Sequence, residues 1–251
     1  ATIAVTTSYT PAPNDRVSVI ITTTKSGSFS TQIIPEGWHV DYATATDIAV
    51  KYAAITWTGV AGDGLWSTAS NWSSLSVPVS SSDVYISTSH VTINSSTIAA
   101  INSLSLTSGA NLINSGSLNI IPASPKVGIY LNSASIDNEG ILNVNSSYRC
   151  IELNGTNTLT FNGVTNFAGS NAFVTNNNSA TTLSGTGFTI GSVGAPSAYG
   201  LISSTSTGST FCVSSGTTIS VYSNSTAVVY MSNSAIVINN GTLNISTSTT
   251  G

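Results

Sequence analysis

Three stretches of the chain repeat one alternation of apolar and polar residues: LINSGSLNI at 112–120, ASIDNEGILNV at 134–144 and AIVINNGTLNI at 235–245. Each ends in Gly-x-Leu-Asn-(Ile/Val). From residue 127 onward GIYLN, CIELN, AFVTN, GLISS and VVYMS also align. That alignment places Ile129, Ile151, Phe173, Leu201 and Val229 in one column, at separations of 22, 22, 28 and 28. Two positions on, Leu131, Leu153 and Met231 keep the alternation, while Thr175 and Ser203 weaken it. A second set of apolar pairs flanks a polar residue near the other end of each unit: Leu118/Ile120, Leu142/Val144, Leu159/Phe161, Phe188/Ile190, Ile219/Val221 and Leu243/Ile245. Alternation at period two with many β-branched residues is the strand signal. No helical spacing persists beyond a turn, and a repeat of about 20–30 residues marks a solenoid.

The pattern therefore predicts an all-β fold, a parallel β-helix of two or three short strands per coil, stacked at about 4.8 Å. Gly and Asn punctuate the strands as corner residues that tolerate positive φ. In the last copy of the phrase this reading turns Ile236 and Ile238 inward, sets a corner at Asn239–Gly241, and turns Leu243 and Ile245 inward. Asn132, Asn154 and Asn176 share a column at equal spacing, which predicts an asparagine ladder.

Residues 1–55 differ from the repeats. They hold His39 and strand-like runs such as RVSVIITTT (16–24) and DIAVKYAAI (47–55), and read as an N-terminal β cap or small β module. Residues 56–100 read as a Trp-rich cap with the first coils, and 101–251 as the solenoid repeats. The Pro-rich break YTPAPND (9–15) isolates ATIAVTTS as an arm. So short a strand needs a sheet edge to join. It either enters a neighbouring copy, which makes Ala1, Ile3 and Val5 assembly residues, or folds back on its own module.

Between the two regions lies ITWTGVAGDGLWSTASNWSSLSVPVSSSDVYIS, residues 55–87. It resembles the W-T-G … W … A-x-N-W … V-P … D-x-(V/I)-x-I segment that precedes β-helical repeats in large secreted microbial surface proteins. The matching residues are Trp57, Gly59, Gly64, Trp66, Ala69, Asn71, Trp72, Pro78, Asp83, Val84 and Ile86. The resemblance implies a secreted, surface-associated β-solenoid, often adhesive, and carries over no catalytic residue.

Composition narrows the functional classes. Of 251 residues only 6% are charged against 40% hydrophobic, and the net charge is −4. Such a chain folds rather than staying disordered. Five Lys and Arg cannot build a phosphate-binding stripe, so nucleic acid is not an expected partner. After Glu152 no Asp, Glu, Lys or Arg occurs through Gly251. No run reaches the roughly 18–20 apolar residues of a membrane span. The opening on Ala1 is what a mature protein shows after removal of a leader.

Candidate chemistry is sparse. Cys150 and Cys212 lie far from His39 and His90, so no zinc spacing exists and no metal or cofactor is expected. The alternation around 151/153 and 211/213 points both thiols outward and coils apart, as unpaired thiols or a bridge between subunits. The repeats hold three acids, Asp137, Glu139 and Glu152, with Lys126 and Arg149 as the basic residues, too few for a glycosidase pair or a lyase site. No enzyme is expected. Trp57, Trp66 and Trp72 either plug the open end of the first coil or stack on sugars, with Trp66 the candidate glycan contact. Sequons occur at Asn71, Asn94, Asn145, Asn154, Asn177, Asn224, Asn240 and Asn244; Asn224 and Asn240, near predicted corners, are the better glycosylation candidates. Together these features predict an extracellular or cell-surface structural protein, self-assembled head to tail as a filament or surface layer. A glycan-binding adhesin stalk or tip, contacting surface glycans or other cells, is the alternative, and a polysaccharide-active enzyme the third.

Overall fold

The computed structural model describes residues 2–4, 16–21, 31–33, 38–41, 47–52, 54–87, 89–122, 126–175, 179–191, 202–204, 209–223, 229–231 and 236–247. The chain divides into two compact units, Ala1–Thr56 and Trp57–Gly251.

The first unit is an all-β module. Arg16–Ile21, Asp47–Tyr52 and Trp38–Asp41 form an antiparallel sheet with Asp47–Tyr52 in the middle. Ala49 and Val50 of that central strand are buried, and the Ser18 hydroxyl donates to the Asp47 carboxylate across the pair. Thr2–Ala4 pairs in parallel with Thr31–Ile33 of the same chain, the fold-back arrangement of the arm. Ala1 and Val5 lie outside the described residues.

The second unit is a parallel β-helix, and its described strands fall into seven coils of three. The first series of strands comprises Asp83–Ser87, Ser103–Thr107, Val127–Asn132, 149–154, 171–175, Ile202–Ser204 and Val229–Met231. The second runs through His90–Ile93, Asn111–Asn114, Ser135–Asn138, Thr156–Phe161, Ala180–Gly185, Thr210–Val213 and Ile236–Asn239. The third contains Ile98–Ile101, Ser117–Ile120, 141–146, 164–169, Gly187–Ile190, Thr218–Ser223 and Thr242–Thr247. Every ladder between successive coils is parallel, so each side chain rests on its equivalent one coil away. Inward positions of the three series meet as a dry core of Ile, Leu, Val and Phe. Phe161, Phe167 and Phe188 pack edge to face in it, with centroids 5.4–5.9 Å apart.

Register confirms the first column through Ile129, Ile151 and Phe173, extends it back to Leu104 and Val84, and corrects its upper part. Ile202, not Leu201, pairs with Phe173 and Val229, and Ser204 takes the place expected for Ser203. The sequence offers two adjacent apolar residues there, and backbone hydrogen bonding selects the second. Leu201 itself is outside the described residues. Leu159 and Phe161 belong to the second series, paired with Ile136 and Asn138, whereas the third series of that coil carries Thr165 and Phe167.

The repeated phrase is also read one residue off in its last copy. Val237 stands in register with buried Phe211, while Ile236 and Ile238 pair with Thr210 and Cys212. In the other copies the corresponding inward residues are Leu112 and Ile136, each followed two positions on by a fully buried Asn. Those Asn residues form the first of two amide ladders. Asn114 Nδ2 donates to Asn138 Oδ1 at 2.7 Å and to the Ile141 carbonyl at 2.8 Å. Asn138 Nδ2 donates in turn to Thr165 Oγ1 at 2.8 Å and the Val164 carbonyl at 3.1 Å. Asn132 and Asn154 do share register, but at the surface of a corner, and Asn176 lies outside the described residues.

The phrase glycine has a different cause from positive φ. Gly116, Gly140 and Gly163 stack at one corner, where a Cβ on Gly140 would sit 2.1 Å from the Gly116 carbonyl oxygen, and one on Gly163 2.1 Å from that of Gly140. Close approach of successive backbones excludes a side chain there.

Candidate binding face and capped edge

The Trp-rich segment closes the edge of the first coil through its backbone. Trp57 N–H donates to the Tyr85 carbonyl at 2.9 Å, Trp66 N–H to Thr92 at 2.9 Å, and Thr92 N–H to the Gly64 carbonyl at 2.8 Å. Strand edges that would otherwise expose unpaired groups are thereby satisfied. The indoles of Trp57 and Trp66 both pack edge-on against Trp72, at 4.8 and 4.7 Å between centroids, and Trp72 Nε1 donates to the Trp66 carbonyl.

An exposed carboxylate shapes this segment. Asp63 accepts from Leu65 N–H at 2.9 Å, Thr68 Oγ1 at 2.6 Å and Asn71 Nδ2 at 2.6 Å. The Thr68 hydroxyl first, then the Leu65 amide and Asn71, hold its carboxyl below the usual range. Asn71 is itself fully buried, and its Oδ1 accepts from Ala61 N–H. A glycan has no room at that sequon. Sequence reasoning placed Asn71 in the motif but missed Asp63, although GDG between the tryptophans marks a turn.

Trp66 has no exposed surface. As a glycan contact it is therefore corrected: a ring enclosed on both faces cannot stack on a sugar. The exposed surface with regular chemistry lies elsewhere, on the outward side of the third strand series. Asn119, Asn143 and Asn166 stack there as a second amide ladder: Asn166 Nδ2 donates to Asn143 Oδ1, and Asn143 Nδ2 to Asn119 Oδ1, each at 2.9 Å. These are the Asn residues of the Gly-x-Leu-Asn phrase and its degenerate copy GVTNF. Register carries the column on to Thr189, Ser220 and Asn244. Beside it runs a column containing Ile98 at 80% exposure, Ile141 at 42% and Val164 at 57%. Neither column carries a charged residue.

Of the three acids of the repeats, Asp137 and Glu139 are neighbours and Glu152 belongs to a different strand series. Glu152, in the first series, is paired with Arg149 at 2.7 Å. Asp137 and Glu139 belong to the second series and its corner; Glu139 accepts from Asn162 at 2.8 Å. Burial, and then the neighbouring Glu139, raise the Asp137 carboxyl above its ordinary range. Among the described residues no three His, Cys, Asp or Glu side chains gather as a metal site would require, and no helix is long and apolar enough to cross a membrane. Cys150 is buried rather than outward, because the chain bends between Ser146 and Arg149, and its thiol is pushed up to about 12 by desolvation. Cys212 is partly exposed, and both thiols are free. Asn240 is exposed; Asn224 lies outside the described residues.

Fold and surface together define a parallel β-solenoid with three-strand coils. Compared with known proteins, the chain matches no family model, no curated protein and no solved structure.

Proposed function

We propose that this chain is a structural element of an extracellular or cell-surface assembly, and that it is not an enzyme. The carrying observation is how the few charged side chains of the solenoid are used. Asp63 ties a turn, Asp83 pairs with Lys126, Arg149 pairs with Glu152, and Glu139 accepts from Asn162. The Asp83–Lys126 and Glu139–Asn162 contacts join one coil to another, while Asp63 and the Arg149–Glu152 pair brace a single turn or strand, a purely structural use of charge that suits a stiff spacer. Such stacks transmit load through nearest-neighbour ladders along their length.

Copies would join head to tail by exchange of the N-terminal strand. Thr2–Ala4 occupies a three-residue parallel ladder on Thr31–Ile33, a slot that the same segment of another copy fits equally well. Exchange of an identical element that does not close on itself produces a filament. Electron microscopy of the purified chain tests this: filaments are expected, and deletion of residues 1–8 should abolish them with the β circular-dichroism spectrum intact. A monomeric wild type, or filaments that survive the deletion, overturns the assembly reading.

A second reading rests on the ladder of Asn119, Asn143 and Asn166. An uncharged face of regularly spaced amides beside exposed aliphatics suits a neutral polysaccharide lying along the solenoid. Glycan-array binding that is lost in Asn143→Asp, with the fold retained, supports an adhesin; an array without hits removes it.

A further inference from the structure

Lys126 is the one lysine of the second unit. Its Nζ is buried and lies 2.8 Å from Asp83 Oδ2, with both side chains largely enclosed. The other carboxylate oxygen, Oδ1, accepts from Asn102 Nδ2 at 2.7 Å and from Ser103 Oγ at 2.7 Å. One carboxylate thus holds an amine on one oxygen and a primary carboxamide on the other. The three residues come from successive levels of the solenoid. Asp83 opens the first coil, Asn102 sits in the turn to the second, and Lys126 directly precedes the third. Coil register explains the meeting: Leu104 pairs with Ile129, so Asn102 and Val127 stand two residues earlier at matching levels. Asn102 is buried, and its N–H donates to the Ser82 carbonyl at 2.9 Å, which fixes where its side chain starts.

We propose that Lys126 and Asn102 form an intramolecular isopeptide bond, with Asp83 as the proton-transfer group. Asp83 takes a proton from the Lys126 ammonium, leaving a neutral amine beside the carboxamide. Nζ attacks Asn102 Cγ, a new N–C bond forms, and the Cγ–Nδ2 bond breaks. Asp83 returns its proton to Nδ2, and the second proton lost by Nζ follows, so that nitrogen leaves as ammonium. The balance is one alkylammonium and one primary amide giving one secondary amide and one ammonium ion, with no oxidant or co-reactant. Release of ammonium to solvent carries the reaction forward, and the Asp83 carboxylate, which loses its ion partner, keeps the Ser103 hydroxyl and can accept from the new amide N–H. Holding the two reactants on one carboxylate supplies the proximity that such a reaction needs. The product is a covalent clamp across the first three coils, next to the Trp-closed edge.

Intact-mass spectrometry of the natively purified chain tests the proposal. The expected mass is one ammonia below that of the sequence, with trypsin failing to cut after Lys126. A chymotryptic map should contain one branched species joining the Asn102 and Lys126 peptides. Lys126→Arg, which keeps the ion pair and cannot cross-link, should return to its full sequence mass while still folding. Asp83→Asn should do the same or react far more slowly. A folded wild type at full sequence mass overturns the proposal. So does ammonia loss that maps to the Asn154–Gly155, Asn162–Gly163 or Asn240–Gly241 steps, where succinimide formation gives the same deficit.

Discussion

Replacing Gly140 with Ala tests the stacked corner directly. The added Cβ would lie 2.1 Å from the Gly116 carbonyl oxygen and 2.7 Å from the Ser115 carbonyl carbon. Ordinary carbon–oxygen contact begins near 3.3 Å, so the two backbones must part by about 1.2 Å. Three hydrogen bonds hold them where they are: Glu139 and Gly140 N–H to the Asn114 carbonyl, and Ile141 N–H to the Gly116 carbonyl, each 2.8 Å. Lengthening these bonds by that amount removes them, at about 1 kcal/mol each. The unfolded chain loses some freedom with Ala, which offsets about 0.4–1 kcal/mol. The net expectation is a loss of about 2–3 kcal/mol, read as a lower urea midpoint at unchanged slope. Gly216→Ala is the comparison, since its Cβ meets nothing within 4 Å and only the backbone φ of +84° is strained. Hydrogen exchange separates the two: the Gly140 variant should lose protection at Gly140 and Ile141, the Gly216 variant should keep it. A Gly140→Ala protein within about 0.5 kcal/mol of wild type, with those amides still protected, would refute the close-approach argument.

Asn138→Leu removes the middle of the buried corner ladder, leaving Asn114 Nδ2 only the Ile141 carbonyl and taking the Asn138 amide from Thr165 Oγ1, and should cost about 1–3 kcal/mol in the same urea assay. Asp63 has a folded pKa below its unfolded value, so its contribution is complete above the unfolded value near ~3.9 and fades as pH falls towards the lower folded value. Tryptophan fluorescence should therefore show the Trp57–Trp72 segment loosening only in strong acid, and Asp63→Asn should abolish that step; an unchanged acid profile refutes the assignment. In the native protein at pH 8 a maleimide should label Cys212 and spare Cys150, whose thiol stays protonated in the core, and denaturation should release the second thiol. Equal labelling rates for the two would contradict the burial of Cys150.

The periodic columns made the fold legible. Period-two alternation recurring at about twenty residues admits few architectures, and Ile129, Ile151 and Phe173 stack as the spacing requires. The exposed Asn face was half legible: the phrase Asn was visible at 119, 143 and 244, but whether it faced in or out turned on a register that one residue reverses. The same ambiguity put Ile236 and Ile238 in the register that Val237 holds opposite Phe211, and Leu201 in the one that Ile202 holds opposite Phe173. Where both neighbours are apolar, alternation has no phase of its own, and only hydrogen bonding to the adjacent coil supplies one.

By itself the sequence determined the strand content, the solenoid repeat and the near absence of charge, because these are properties of local pattern and composition. Tertiary structure decided what lies opposite what. It enclosed Trp66, turned Cys150 inward at a bend, made the phrase glycine a point of backbone contact, and gathered Asp83, Asn102 and Lys126 from three levels of the stack. Residues some twenty positions apart become neighbours only when a coil closes, and the lengths of the intervening turns, which no periodicity fixes, set which ones meet.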